Sequence, residues 1–336
     1  MKKLFFLLAC VVMSVLAMGQ VNQLVWANGR LLYGTPVAGI DSLTYDDMED
    51  VDTLHLLLPR VLMKYIHDTI VLHETINKYV YDTIYIVDKE AGIGVFSVSE
   101  TNQVTFSKGN LQYIQSTNTW SFAENQYDYI GEDNFSLQSY DTILADKIDF
   151  FGWSADNTTA PFGVNTSTYH DDYYGSFVDW GSNQISNDAP NTWRTLTGDE
   201  WEYLLLGRNK ADSLCGIAQV NGINGLVVLP DSWERPAGIT FRYGFSYMEE
   251  PLEFSGHQSF TASQWSKLET SGAVFLPAAG FRLDKVTHNI EYRGYYWGAS
   301  SILTTNAHYL ILRSTDVVVK YLDRNRGLSV RLVKDL

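Results

Sequence analysis

Cysteine is almost missing from this 336-residue chain, which has only Cys10 and Cys215. If the leading segment is removed on export, Cys215 alone remains. That excludes an intrachain disulfide, a multi-thiolate metal site and paired-cysteine redox chemistry. Positive charge is scarce as well, with 24 Lys and Arg against 39 Asp and Glu and a formal charge of −15. No basic face is offered to phosphates, so nucleic acid is not an expected partner. Long apolar runs are absent after residue 19, so no transmembrane span is expected. The one apolar stretch, residues 1–19, opens with Lys2 and Lys3 and closes with Ala17-Met18-Gly19. It reads as a signal peptide with a small-residue cleavage site. Leu7-Leu8-Ala9-Cys10 has the outline of a lipoprotein box, but the apolar run continues to Leu16, which favours ordinary cleavage over lipidation of Cys10. The expected location is therefore exported: periplasmic, outer-surface or extracellular. Nucleophile elbows and phosphate loops are also missing.

Aromatic residues are plentiful, with 21 Tyr, 16 Phe and 9 Trp. They suffice for a large core and are equally the material of binding surfaces. Residues 20–58 read as a small β-rich segment, where "LVWANGRLLYG" places two apolar runs around Asn28-Gly29, a hairpin signal. "GIDSLTY" follows as a further short strand. The acidic run Asp46, Asp47, Glu49, Asp50, Asp52 lacks EF-hand spacing and reads as a solvated turn. Residues 59–90 form an extended linker with a ragged repeat, "HDTI", "HETI", "YDTI". His67 and His73 lie six apart, on one face of a strand, which makes only half a zinc site. A semi-rigid β stalk between domains is the preferred reading.

Residues 91–336 begin as consecutive short strands, with turn signals at Thr101-Asn102, Lys108-Gly109-Asn110 and Ser116-Thr117-Asn118. A Gly/Asn/Asp/Ser-rich section from Phe151 to Pro190 has no helical periodicity. "TLTGDEWEYLLLG" then carries a capping box, Thr197 with Glu200, a staple of Leu196 against Trp201, and a stop at Gly207. "FTASQWSKLETSG" repeats the grammar with Phe260, Thr261, Gln264, Trp265 and Gly272. Glu200 is read as a capping residue rather than an acid catalyst. The expected class is α+β: two short helices and an irregular β-sheet, preceded by the small β-rich segment.

Several stretches carry a family resemblance: "FSKGNLQY" (106–113), the Trp120-to-Tyr129 run, "DFFGWS" (149–154), "WRTLTGDEWEYLL" (193–205), "VNGINGLVVLPDSW" (220–233), "FTASQWSKLETSGAVFLPAAGFR" (260–282), "GYYWGAS" (294–300) and "RNRGLSVRLVKD" (324–335). In these, residues 92–336 resemble the C-type-lectin-like domains of the Fibrobacter succinogenes major paralogous family and related Bacteroidetes surface proteins. They are more distantly similar to sulfatase-modifying (formylglycine-generating) factors. The resemblance implies a C-type-lectin-like fold, which hosts both catalysis and pure binding. The oxidase branch uses paired cysteines near the C-terminus, and this chain has none there. The expectation is an adhesin-like, non-enzymatic binding protein for a carbohydrate or protein ligand on a cell surface. A sugar-active or sulfatase-modifying-factor-like enzyme that has lost the paired cysteines, an uncharacterised hydrolase, is the alternative.

The stretch "GYYWGASSILTTNAHYLILRSTDVVVKYLDRNRGLSVRLVKDL" resembles the variable tails of lectin-fold proteins diversified by retroelements. That resemblance gives the candidate ligand-binding residues Tyr295, Trp297, Ser300, Ile302, His308, Leu310, Leu312, Arg313, Asp316 and Tyr321, with Tyr295 and Trp297 also serving as frame. Ile302, Leu310, Leu312 and Val317 are expected to form an exposed aliphatic patch. Asp171 and Asp172 beside His170, with Asp179 beyond, offer oxygens of the kind calcium takes, although Asp-rich loops are also ordinary turns. No other cofactor is expected. Asp199 with Glu202, and Glu249 with Glu250, are candidate carboxylate pairs. Ser329 reads as strand ladder rather than nucleophile, and Arg282 and Arg331 as partners of buried carboxylates or caps of loops.

Overall fold

The computed structural model describes three strands within residues 14–36, as backbone, and residues 94–336 apart from 154–155, 157, 245–253 and 255. Two compact units divide the chain, Met1–Glu90 and Ala91–Leu336. In the first, β1 (Ser14–Ala17), β2 (Gln20–Ala27) and β3 (Arg30–Pro36) make an antiparallel sheet in that order. Ala27 pairs with Arg30, the hairpin that Asn28-Gly29 signals. β1 falls inside the segment read as a signal peptide. The "GIDSLTY" strand, the acidic run, His67, His73, Glu249 and Glu250 lie outside the described residues.

The second unit is α+β. It opens with β4 (Phe96–Ser97), β5 (Gln103–Phe106), β6 (Leu111–Ile114) and β7 (Thr119–Phe122). The hairpin β8 (Phe135–Gln138) and β9 (Asp141–Leu144) follows, then β10 (Lys147–Ile148). Among its described residues the loop-rich section has no longer element than the 3-10 turns His170–Tyr173 and Trp180–Ser182, as its lack of periodicity predicts. After β11 (Arg194–Thr195) come α1 (Gly198–Glu202), β12 (Cys215–Val220), β13 (Ile223–Val228), β14 (Gln258–Phe260) and α2 (Ala262–Thr270). The chain finishes with β15 (Val274–Pro277), β16 (Phe281–Leu283), β17 (Val286–His288), β18 (Gly294–Ser301), β19 (Asn306–Leu312), β20 (Val317–Asp323) and β21 (Leu332–Asp335). Two four-stranded sheets, β11-β21-β5-β4 and β14-β12-β13-β15, stand with a three-stranded β18-β19-β20 sheet and smaller ladders.

Both capping boxes are complete. Thr197 accepts from the Glu200 amide at 3.2 Å while Glu200 accepts from the Thr197 amide at 2.8 Å. Thr261 and Gln264 repeat the pair at 3.3 and 2.9 Å. Glu200 also grips Arg194, which in turn binds Asp335. Those carboxylate oxygens are spent on structure, not acid chemistry. Leu196 and Trp201 share one core cluster, and Phe260 and Trp265 another, as staples require. α1 does not stop cleanly: a π turn, Tyr203–Gly207, closes it with Arg208 N–H donating to Tyr203 O. α2 ends at Gly272, φ +86°, where a Cβ would stand 2.7 Å from Gly94 Cα. Only glycine fits there.

The segment 327–333 runs through the middle of the unit, and every side chain from Leu328 to Val333 is buried. Its backbone bonds in turn to Arg282, Phe151, Tyr295 and Trp297, then Leu111, then Ser107, before β21 inserts between β11 and β5. Ser329 is therefore ladder, with its hydroxyl buried and unpartnered. Of the two expected roles, carboxylate pairing or loop capping, the arginines take the second. Arg282 donates to the carbonyls of Phe150, Gly163 and Asn165, and Arg331 to Asn110 Oδ1 and Gln126 Oε1. Among the described residues neither takes a carboxylate. Their charge is dispersed over neutral oxygens, which avoids the cost of burying a second ion.

Candidate functional site

β18 carries the feature that builds the site. Its pairing with β19 is regular from Gly294 opposite Leu312 to Trp297 opposite Tyr309, then resumes only at Ser301 opposite Ala307. Gly298, Ala299 and Ser300 thus bulge against the single residue His308. Bulges bend a strand and re-aim its side chains. Four hydrogen bonds hold this one. Trp201 Nε1 donates to Trp297 O, Trp153 Nε1 to Gly298 O, the Ala299 amide to Leu196 O, and the Gly198 amide to Ser300 Oγ at 2.9 Å.

Ser300 is thereby aimed at the imidazole, with its Oγ 3.1 Å from His308 Nδ1. The Ser300 carbonyl stands 3.3 Å from the same nitrogen. A carbonyl can only accept, so the Ser300 carbonyl contact is a hydrogen bond only in the tautomer that carries a proton on Nδ1. Glycine at 198 lets α1 sit on the ring: a Cβ there would lie 2.8 Å from His308 Cγ. Across the sheet, His308 pairs with Tyr321 and Asn306 with Asp323, joined by a 3.2 Å hydrogen bond. Side chains alternate along a strand, so His308, Tyr321, Asn306 and Asp323 share the face that carries Leu310 and Val319. α1 covers the Leu310 end of that face. At the other end Tyr321 is 59% exposed and Ile302, in the β18–β19 turn, 50% exposed.

Four of the ten candidate residues, Ser300, Ile302, His308 and Tyr321, therefore gather at one end of the β18-β19-β20 sheet. The rest do not join them. Leu310 and Leu312, with Val317, are buried in the main core cluster, because their strand face is the one that packs against Trp201 and Leu204. The expected aliphatic patch reduces to Ile302 and its neighbour Leu303. Trp297 is fully buried, its indole bonded to Phe151 O, and Tyr295 is packed against Phe281 and Tyr309, so both stand in the frame away from the exposed end. Arg313 and Asp316 pair with each other in the β19–β20 turn at the opposite end, roughly 20 Å away by the rise of a seven-residue strand.

Asp179 is consumed by structure. It accepts from the Gly181 amide and from the Thr195 amide and hydroxyl, and burial pushes its carboxyl up against those bonds. It is not an open calcium ligand beside Asp171 and Asp172. Among the described residues no three His, Cys, Asp or Glu side chains group as a metal site. Asp199 and Glu202 are both exposed on α1. Cys215 is buried, and that burial pushes its thiol up to about 11. It holds no thiolate at neutral pH.

Sequence reading missed Gly198, Asn306 and Asp323, and missed the bulge itself. A glycine inside the strand-like "GYYWGASS" was the available signal, since Gly298 admits the Gly198 amide at 3.3 Å from where its Cβ would be. Comparison with protein-family models, with curated proteins and with solved structures found no match. Among the described residues no helix is long and apolar enough to cross a membrane.

Proposed function

We propose that this chain is an exported, surface-exposed binding protein of the C-type-lectin-like kind, resembling the Fibrobacter succinogenes major paralogous domains. It engages a carbohydrate or protein ligand on a cell surface through the Ser300–His308–Tyr321 row. One observation carries the reading: a locked three-residue bulge holds Ser300 against His308, whose cross-strand neighbour Tyr321 is exposed. Strand bulges cost ladder hydrogen bonds and are kept where they aim a side chain. The sulfatase-modifying alternative has little support, because the one cysteine outside residues 1–19 is buried with a raised thiol pKa.

A glycan panel and a set of cell-surface proteins, applied to the full chain with and without calcium, test the proposal. Ligands should register on the wild type, and His308→Ala and Tyr321→Ala should weaken them about tenfold or more with unchanged melting temperature. Ligands indifferent to both substitutions would remove the site from the account.

A further inference from the structure

The chain carries three Asn-Gly dipeptides, at 28–29, 221–222 and 224–225, and the first lies outside the described residues. Glycine leaves the amide nitrogen that follows an asparagine unshielded by any side chain, so that nitrogen can attack the asparagine side-chain carbonyl. The dipeptides at 221 and 224 share this chemistry and one hairpin, but not one environment. Asn221 and Gly222 are the two turn residues between β12 and β13, with φ 51° and 86°, in the left-handed turn that closes the Val220–Ile223 pair. Both are exposed, and nothing stands within 4 Å of where a Gly222 Cβ would be. The Asn221 amide donates to Phe260 O at 2.8 Å. Among the described residues, neither the Asn221 side chain nor the Gly222 amide has a hydrogen-bond partner.

Asn224 is held on both side-chain atoms. Its Nδ2 donates to Glu291 O and its Oδ1 accepts from Gln219 Nε2, each at 2.8 Å. Gly225 is buried opposite Ala218, the next pair but one from Val220–Ile223, where the alternation of an antiparallel ladder again engages the amides. β15 covers it from the other side: a Cβ on Gly225 would lie 2.4 Å from Leu276 O.

We propose that Asn221 is a site of spontaneous covalent modification, deamidation through a cyclic imide, which the fold directs to Asn221 and away from Asn224. The Gly222 nitrogen, its proton lost to solvent base, bonds to Asn221 Cγ as the Cγ–Nδ2 bond breaks and ammonia leaves. Water then opens the ring at Cγ, giving aspartate, or at the Asn221 main-chain carbonyl, giving isoaspartate. Ring closure needs a backbone torsion outside the left-handed turn, so attack waits on opening of the hairpin tip, a local event far less costly than unfolding. At Asn224 two side-chain bonds and the ladder must break first. Either product adds a negative charge to the tip. Isoaspartate also adds a main-chain bond to a two-residue turn, which removes the spacing that closes the Val220–Ile223 pair.

The test incubates the full chain in mildly alkaline buffer made with heavy-oxygen water, beside the same chain unfolded in urea. Digestion and tandem mass spectrometry then follow residues 221 and 224 separately. In the folded chain residue 221 should convert at least about tenfold faster than residue 224. In urea the two should convert at similar rates, because the dipeptides are identical and only the fold separates them. The product at 221 should carry heavy oxygen and be mainly isoaspartate, as read by a methyltransferase specific for that linkage. Equal rates in the folded chain, or faster conversion at 224, overturn the proposal. A preference for 221 that persists in urea overturns it as well, by placing the cause in the sequence around each dipeptide rather than in the fold. Aspartate without isoaspartate at 221 would mean direct hydrolysis and overturn the imide route.

Discussion

His308 is the residue on which the site turns, because the Ser300 carbonyl and hydroxyl both stand against its Nδ1. Long-range nitrogen–proton NMR on the ¹⁵N-labelled chain should find the Nδ1-protonated tautomer; the opposite tautomer would mean that the Ser300 carbonyl contact is not a hydrogen bond. Gly198 makes this arrangement possible. Gly198→Ala must push a methyl against the His308 side chain, at 2.8–3.0 Å from its Cγ, Cβ and Cδ2. We expect it to cost about 1–3 kcal/mol in urea melts, as overpacking does, and to weaken ligand binding as well. A harmless Gly198→Ala in both assays would show that α1 does not rest on His308. Trp201 is the other fixed point, wholly buried and bonded to the bulge at Trp297 O. Trp201→Ala should cost about 3–5 kcal/mol. Residue identity alone could not tell Ser300 and His308 from Leu310 and Leu312, since all four stand in one run of strand. The bulge sets that distinction, and it is a tertiary event driven by α1 and Trp153 docking on β18.

Among the elements, the two helices were the most legible. Each capping box is local, needs four residues, and satisfies backbone amides that the helix cannot. Thr197→Ala and Thr261→Ala should each cost about 0.5–2 kcal/mol by chemical denaturation. A neutral Thr197→Ala would mean that the Arg194–Glu200–Asp335 ion pairs hold α1 without its cap. The hairpins signalled by Asn28-Gly29 and by Ser116-Thr117-Asn118 were legible for the same reason: their turns are written in adjacent residues. Sheet order was not. β21 sits between β11 and β5, strands about 140 and 230 positions earlier in the chain, and no local pattern encodes such pairing. The buried arginines show the same limit. Sequence left carboxylate pairing and loop capping both open for them, and the oxygens that decide for loops come from more than a hundred residues away.

Across the whole molecule, the 91–336 unit is organised around a terminal segment that touches nearly every sheet, so its stability should depend on residues 327–336 out of proportion to their number. Deleting them should leave the unit unable to unfold cooperatively, as read by near-ultraviolet circular dichroism. Buried charge also gives the unit a pH signature. Asp149 is fully buried, bonded to the Ile130 amide and Asn134 Nδ2, and burial pushes its carboxyl from 3.8 to about 6 despite those bonds. An acid with a raised folded-state pKa stabilises most below its unfolded value and loses that contribution as pH rises through the folded one. Wild type should therefore lose on the order of 3 kcal/mol relative to Asp149→Asn between pH 4 and pH 8. A gap that is constant or widens in favour of wild type would contradict this. The central claim concerns which end of the β18-β19-β20 sheet meets a ligand. It is tested most directly by titrating one bound probe, the strongest glycan or peptide found, against full-length Tyr321→Ala and Arg313→Ala side by side. We predict binding about tenfold or more weaker for Tyr321→Ala and unchanged for Arg313→Ala; the reverse order would put the binding face at the other end of the sheet.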